Sequence, residues 1–132
     1  MPGKEEDFKQ RFAGILLDLA TSDDADQRAL IGSLAARIVG AAGKPSWAAF
    51  KQGLTRADYD GLLRTFQTQG NGLAQQGQRR QVYAIEVLAT ALVTKTQMQD
   101  TEIAAEAPRL DQFIDDAITA YRDAQSADPI IS

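Results

Sequence analysis

The sequence predicts an all-α protein that folds as one compact, single-domain bundle of five to six amphipathic helices. Apolar residues recur at three- and four-residue spacing along almost the whole chain. No segment shows the clear alternation of apolar and polar residues that is typical of a half-buried strand. The length of 132 residues is that of one ordinary domain. We therefore expect a single helical domain over residues 1–132, with short frayed termini at about 1–4 and 128–132.

Three helices are predicted in the first half of the chain. The first, over about residues 5–20, carries one apolar stripe formed by Phe8, Phe12, Ile15, Leu16 and Leu19. The segment Thr21-Ser22-Asp23-Asp24 predicts a helix stop and a new N-cap, and the second helix runs over about residues 24–42 and ends before Gly43. Ser46 then caps a short helix whose inward positions are Trp47, Phe50 and Leu54.

Thr55 begins the next predicted helix, because an acid follows it three residues later. The glycine-rich segment Gly70-Asn71-Gly72 predicts a turn that ends this helix. The alternative is a single longer helix that tolerates its glycines at about 1 kcal/mol each. A strongly apolar helix over about residues 78–97 follows, and its wide apolar face predicts a central position in the bundle.

The last helix is predicted to begin at Pro108, which suits the first helical position. Residues 101–107, an acidic segment, then form a connector or a short separate helix. The stripe of the last helix is the clearest in the chain and comprises Leu110, Phe113, Ile114, Ala117, Ile118 and Tyr121.

The composition excludes most of the common catalytic and metal-binding sites. The chain has no Cys and no His, which excludes disulfides, thiolate nucleophiles and the usual zinc and haem ligands. No nucleotide-binding or cofactor motif is present, so we expect no catalytic residue, no metal and no cofactor. The polar, acidic N-terminus lacks the pattern of a signal peptide, and we expect a bacterial protein of the cytoplasm.

Charge is segregated along the chain. Residues 1–27 carry a net charge of −4, residues 28–99 carry +6 and residues 100–132 carry −6. The basic middle, from Lys44 to Lys95, could meet phosphate groups, or it could pack beside the acidic end helices so that the charges cancel. Trp47 is expected in the core, and it would be an interface anchor if it were partly exposed. The binding candidates are Trp47, Lys51, Arg56, Arg64, Arg79 and Arg80.

These observations favour a non-enzymatic helical protein that binds another protein or a second copy of itself. The alternative is a nucleic-acid-associated regulator that uses the basic middle, although the acidic pI of about 4.7 disfavours it. A third hypothesis is a metal-dependent enzyme built on Asp111 and Asp115. The simpler interpretation of those two carboxylates is a solvated face of the last helix. No segment is long and apolar enough to predict a membrane span.

Overall fold

The computed structural model describes residues 4–126, with side chains described for residues 7–125, and confirms the predicted all-α bundle. Lys4 begins the first helix, and the predicted frayed residues 1–3 and 128–132 lie outside the described part. Six helices occupy the described chain: α1 (Lys4–Thr21), α2 (Ala25–Ala41), α3 (Trp47–Gln52), α4 (Arg56–Gln75), α5 (Arg79–Thr94) and α6 (Thr101–Ser126).

The predicted helix caps are confirmed. The side chains of Asp24, Ser46 and Thr55 each accept a hydrogen bond, at 3.0–3.1 Å, from the backbone N–H three residues later. Each cap satisfies a donor that the first turn of its helix leaves unpaired. Gly43 follows α2 with φ of 67°, a left-handed conformation that glycine adopts without steric cost.

The predicted turn at Gly70–Gly72 is wrong, because α4 continues through this segment to Gln75. The break lies at Gly77, where φ is 75°. Gly77 N–H donates to the Ala74 carbonyl and Gln78 N–H donates to the Leu73 carbonyl, which is the paired arrangement that closes a helix end. Glycines in α4 weaken the helix but leave its hydrogen bonds intact, whereas a left-handed residue ends it.

The predicted helix start at Pro108 is also wrong, because α6 begins at Thr101 and contains Pro108. The carboxylate of Asp100 caps α6 by accepting from the N–H groups of Glu102 and Ile103, at 2.9 and 3.2 Å. Ile103 and Ala107, both about 1% exposed, extend the buried stripe toward the N-terminus. This cap and this burial hold the first two turns in helix although proline supplies no N–H.

Helix α5 occupies the centre of the bundle, as predicted, although it ends at Thr94 rather than near residue 97. It packs against α1, α2, α4 and α6. Its fully enclosed side chains, all 0% exposed, are Ala84, Val87, Leu88, Ala91, Leu92 and Thr94. Within the described residues, no helix combines the length and the hydropathy needed to cross a membrane.

Among the described helices, α2 and α6 make the most extensive contact, and Gly32 lies at their crossing. A Cβ atom at this position would overlap the carbonyl group of Ala117 and lie 3.1 Å from the Cβ of Tyr121. The added Cβ would overlap backbone atoms of Ala117, so rotation of a side chain cannot relieve the overlap. The absence of a side chain at residue 32 therefore allows α2 and α6 to approach this closely.

We expect Gly32→Ala to destabilise the protein strongly, by about 3 kcal/mol or more, because the added methyl group forces α2 and α6 apart. Gly40→Ala in the same helix is the matched control, since a Cβ there meets no atom within 4 Å. The control should raise the free energy of unfolding by up to about 1 kcal/mol. Urea denaturation measures both variants, and similar stability for the two would contradict the close crossing.

The two aspartate caps predict a dependence of stability on pH. A backbone hydrogen bond from Gln27 and one from Ile103 are the main causes that lower the pKa of Asp24 and Asp100 below 3.8. A carboxyl whose pKa is lower in the folded state stabilises the fold above its unfolded pKa, and this contribution is lost as the pH falls through the lowered value.

We expect the double variant Asp24→Asn, Asp100→Asn to lose less stability than the wild type between about pH 5 and about pH 2. Asparagine keeps the capping oxygen but does not titrate, and the other carboxyl groups are common to both proteins. Urea denaturation at several pH values gives the two curves. Parallel curves would show that the caps do not contribute to the acid transition.

Candidate functional site

Two of the six predicted binding residues lie inside the bundle. Trp47 is 0% exposed and Lys51 is 7% exposed, so neither side chain presents a surface to a partner. The prediction that Trp47 belongs to the core is confirmed. Its ring packs against Phe50 with 5.5 Å between ring centroids.

The four arginines among the candidates are exposed but lie apart. Arg56 begins α4, whose 20 residues span about 30 Å, and Arg79 begins α5 just beyond the other end. Arg64 lies between them on α4 and donates to the Asp60 carbonyl at 3.4 Å. Arg80 forms an ion pair with Asp24 at 3.2 Å. The four arginines therefore do not form one compact cluster.

Ion pairs instead connect the segments of opposite charge. Lys51 from the basic middle pairs with Asp111 from the acidic end at 3.0 Å, and Arg80 pairs with Asp24 from the acidic start. Lys9 bridges the two acidic segments by contacting Asp100 at 3.1 Å. Charges thus offset one another across the fold, which was the alternative interpretation of the basic middle.

Lys51 and Asp111 belong to a polar cluster that joins α3 to α5 and α6. The Lys51 ammonium donates to the Thr94 hydroxyl at 2.6 Å as well as to Asp111. The indole N–H of Trp47 donates to the other carboxylate oxygen of Asp111 at 3.0 Å. Burial raises the pKa of the Asp111 carboxyl, and the Lys51 ammonium and the Trp47 indole act against this rise.

The short helix α3 is held at both ends. Asp115 accepts from the backbone N–H groups of Trp47 and Ala48, at 2.7 and 3.4 Å. The Lys95 ammonium donates at 2.8–3.2 Å to three carbonyl groups at the opposite end, those of Lys51, Gln52 and Leu54. Negative charge at the first end and positive charge at the second complement the helix dipole.

This arrangement corrects the interpretation of Asp111 and Asp115 as a solvated face. The side chain of Asp111 is only 14% exposed, and both carboxylates hold α3 in place. Each of their four oxygens accepts a hydrogen bond from a nitrogen donor of this chain. Within residues 7–125, no group of three or more carboxylates is placed to hold a metal ion.

A different feature, the groove between α2 and α4, is open to a ligand. Both helices pack on α5 but make little or no direct contact with each other. Two adjoining cavities of about 460 and 150 Å³ lie between them and share Leu34, Arg37, Gln69 and Ile85. We call this space the α2–α4 groove.

Apolar side chains form the walls and the floor of the α2–α4 groove. The α2 wall consists of Leu30, Leu34 and Ile38, and the α4 wall consists of Leu62, Phe66 and Leu73. Ile85 and Leu88 of α5 form the floor. All of the wall residues except Phe66 are only half-buried, so they keep apolar surface that a partner could cover.

The rim of the α2–α4 groove is polar and contains one charged side chain, Arg37. No carboxylate lines the groove. Within the described residues, the side chains of Arg37, Gln69, Gln76 and Gln81 form no hydrogen bond or ion pair with the protein. Their donors and acceptors are available to a ligand.

Two other clefts differ in this respect. In the cleft of about 410 Å³ beside α3 and α6, Lys51, Lys95, Asp111 and Asp115 are bonded within the protein. In the cleft of about 300 Å³ near the α1–α2 turn, Tyr83 donates to Asp18 at 3.2 Å. Burial and the adjacent Asp18 carboxylate raise the pKa of Tyr83, so its hydroxyl keeps its proton.

None of the six predicted binding residues lines the α2–α4 groove, although the sequence contains a signal for this surface. Adjacent positions on α2, such as Leu30 and Ile31 or Ile38 and Val39, are both apolar. Such pairs make the stripe wider than one packing contact requires. The structure divides it into a buried row that includes Ile31 and Val39 and a half-buried row that lines the groove.

We expect Lys51→Met and Asp111→Asn each to lower the free energy of unfolding by about 3–5 kcal/mol, because each leaves a buried charge without its partner. The double variant should be much less destabilised than the sum of the two, since no uncompensated charge remains. Asparagine retains an acceptor for the Trp47 indole. A double-mutant cycle in urea measures the coupling, and strictly additive effects would contradict the buried pair.

Comparison with known proteins finds no family model that matches the chain. It also finds no curated protein and no solved structure with significant similarity to it. The geometry and chemistry of the site therefore carry the functional proposal by themselves.

Proposed function

We propose that this protein is a small, non-enzymatic, bacterial cytoplasmic protein that acts by binding another protein at the α2–α4 groove. The observation that carries the proposal is a row of half-buried leucine and isoleucine side chains between two helices that make little or no direct contact with each other. Concave apolar surfaces with a few polar groups at the edge are typical of binding sites.

The groove has the two components that protein recognition uses. Leu30, Leu34 and Leu73 would lose their remaining exposed surface on binding, which supplies hydrophobic free energy. Arg37 and Gln69 would contribute polar contacts that set orientation, and their side chains need not break internal bonds first. A second copy of this chain is one partner that this surface admits.

The nucleic-acid alternative has less support. It requires Lys51 and Arg80 to meet phosphate groups, but Lys51 is buried and Arg80 is bound to Asp24. The metal-dependent enzyme has less support still, because Asp111 and Asp115 accept hydrogen bonds from Trp47 and its neighbours. We retain protein binding as the proposal.

We expect Gln69→Trp to reduce partner binding by at least about tenfold, because the indole occupies the junction of the two cavities. Gln67→Trp is the matched control, since Gln67 is exposed on the same helix but does not line the groove. Tagged full-length protein in three forms, wild type and both variants, is incubated with a lysate of its own cells, and the captured proteins are quantified.

A partner of the groove is one that the wild type and Gln67→Trp retain and Gln69→Trp loses. If the partner is a second copy, light scattering should show that Gln69→Trp alone shifts the protein to monomer. Unchanged thermal melting of both variants checks that the fold is intact. Equal capture by both tryptophan variants, or a strictly monomeric protein that captures nothing, would overturn the proposal.

A further inference from the structure

The architecture of the α2–α4 groove restricts the kind of segment that can occupy it. Both walls and the floor are helices whose backbone groups are bonded internally, so no strand edge is available to pair with an extended peptide. Grooves that bind proline-rich segments are lined by aromatic rings. Here Phe66 is the one aromatic lining residue, and it is 5% exposed. An amphipathic helix is the remaining common mode of peptide recognition.

The spacing of the walls agrees with a helical occupant. Leu30, Leu34 and Ile38 repeat every four residues along one wall. On the facing wall, Leu62 and Leu73 stand about 16 Å apart along α4, which is the length of three helical turns. An occupant of the same length would place apolar side chains at positions i, i+4 and i+7 over the floor.

The junction of the two cavities has a distinct chemistry. Arg37 on α2 and Gln69 on α4 line both cavities, so they lie on opposite walls where the two cavities meet. Several other cations of the protein are bound to carboxylates, among them Lys9, Arg11, Lys51 and Arg80. Arg37 has no such partner within the described residues, and no carboxylate lines the groove.

We propose that the groove binds an amphipathic helix that carries a carboxylate near its middle, received by Arg37 and Gln69. The guanidinium group and the side-chain amide can both donate to one carboxylate, and hydrogen bonds to charged groups are the stronger class. This inference rests on the proposed function and specifies the chemistry of the partner at the same groove.

The net charge of −4 does not oppose an acidic partner at this place. At physiological ionic strength the Debye length is about 8 Å, so the potential at the junction depends on nearby charges. Arg37 is the only charge among the lining residues. The surface that an acidic helix would meet is therefore locally positive.

The test uses three peptide probes with the full-length protein. Each is a helix of about 16 residues, stapled so that helicity is equal, with leucine at three positions spaced i, i+4 and i+7. The central residue of the polar edge is Glu, Gln or Lys, and the rest of the sequence is identical. Dissociation constants are measured by fluorescence anisotropy for the wild type, Arg37→Glu, Arg122→Glu and Gln69→Trp.

We expect the wild type to bind the Glu peptide about tenfold more tightly than the Lys peptide, the change that one charge-assisted hydrogen bond produces. Arg37→Glu should reverse this preference. Arg122→Glu makes the same change in net charge on α6, which does not line the groove, and should leave the preference unchanged. This reversal would place the carboxylate beside Arg37.

Each other outcome has a defined meaning. If all three peptides bind equally and Gln69→Trp abolishes their binding, the groove binds helices and the acidic preference is wrong. A preference for the Lys peptide in the wild type also overturns it. If no peptide binds the wild type saturably while circular dichroism shows that protein and peptides are folded, the helical occupant is wrong. The capture experiment with Gln67→Trp and Gln69→Trp then decides whether the groove binds proteins at all.

Discussion

Gly32 holds α2 against α6 at a separation that any side chain would prevent. Helix α2 packs on both α6 and α5, whereas α4 packs mainly on α5. The space between α2 and α4 stays open. A residue without a Cβ thus permits the close contact of α2 with α6, and the same helix α2 forms one wall of the α2–α4 groove.

The same packing brings together the chain segments of opposite charge, so that their side chains form ion pairs. The acidic first and last segments contribute Asp24 and Asp111, and the basic middle contributes Arg80 and Lys51. These pairs form between residues far apart in sequence, so they depend on which helices become neighbours. The Arg80–Asp24 pair is exposed, and exposed pairs add little stability, whereas the Lys51–Asp111 pair is buried. Arg37 differs from these paired cations, because it lies beside apolar walls and no carboxylate lines its groove.

Local rules predicted much of the fold, and tertiary contacts account for the rest. Asp24 and Ser46 cap their helices through bonds within three residues, so the sequence alone identifies them. Gly70 and Pro108 favour breaks by the same local rules, yet both lie inside helices because packing against the core outweighs their cost. The buried position of Asp111 depends on α3, which lies some sixty residues earlier in the chain, and no local pattern reveals it.

The half-buried row on α2 shows why the site is harder to predict than the fold. Leu34 has the same residue type and the same helical period as a core leucine, so composition and periodicity treat the two alike. Their difference arises from the position of α4, which packs on α5 and leaves Leu34 at the edge of the core. Leu30 and Ile38 share this edge, four residues to either side. A stripe broader than the bundle can cover is therefore the sequence feature that points toward a binding surface on this helical protein.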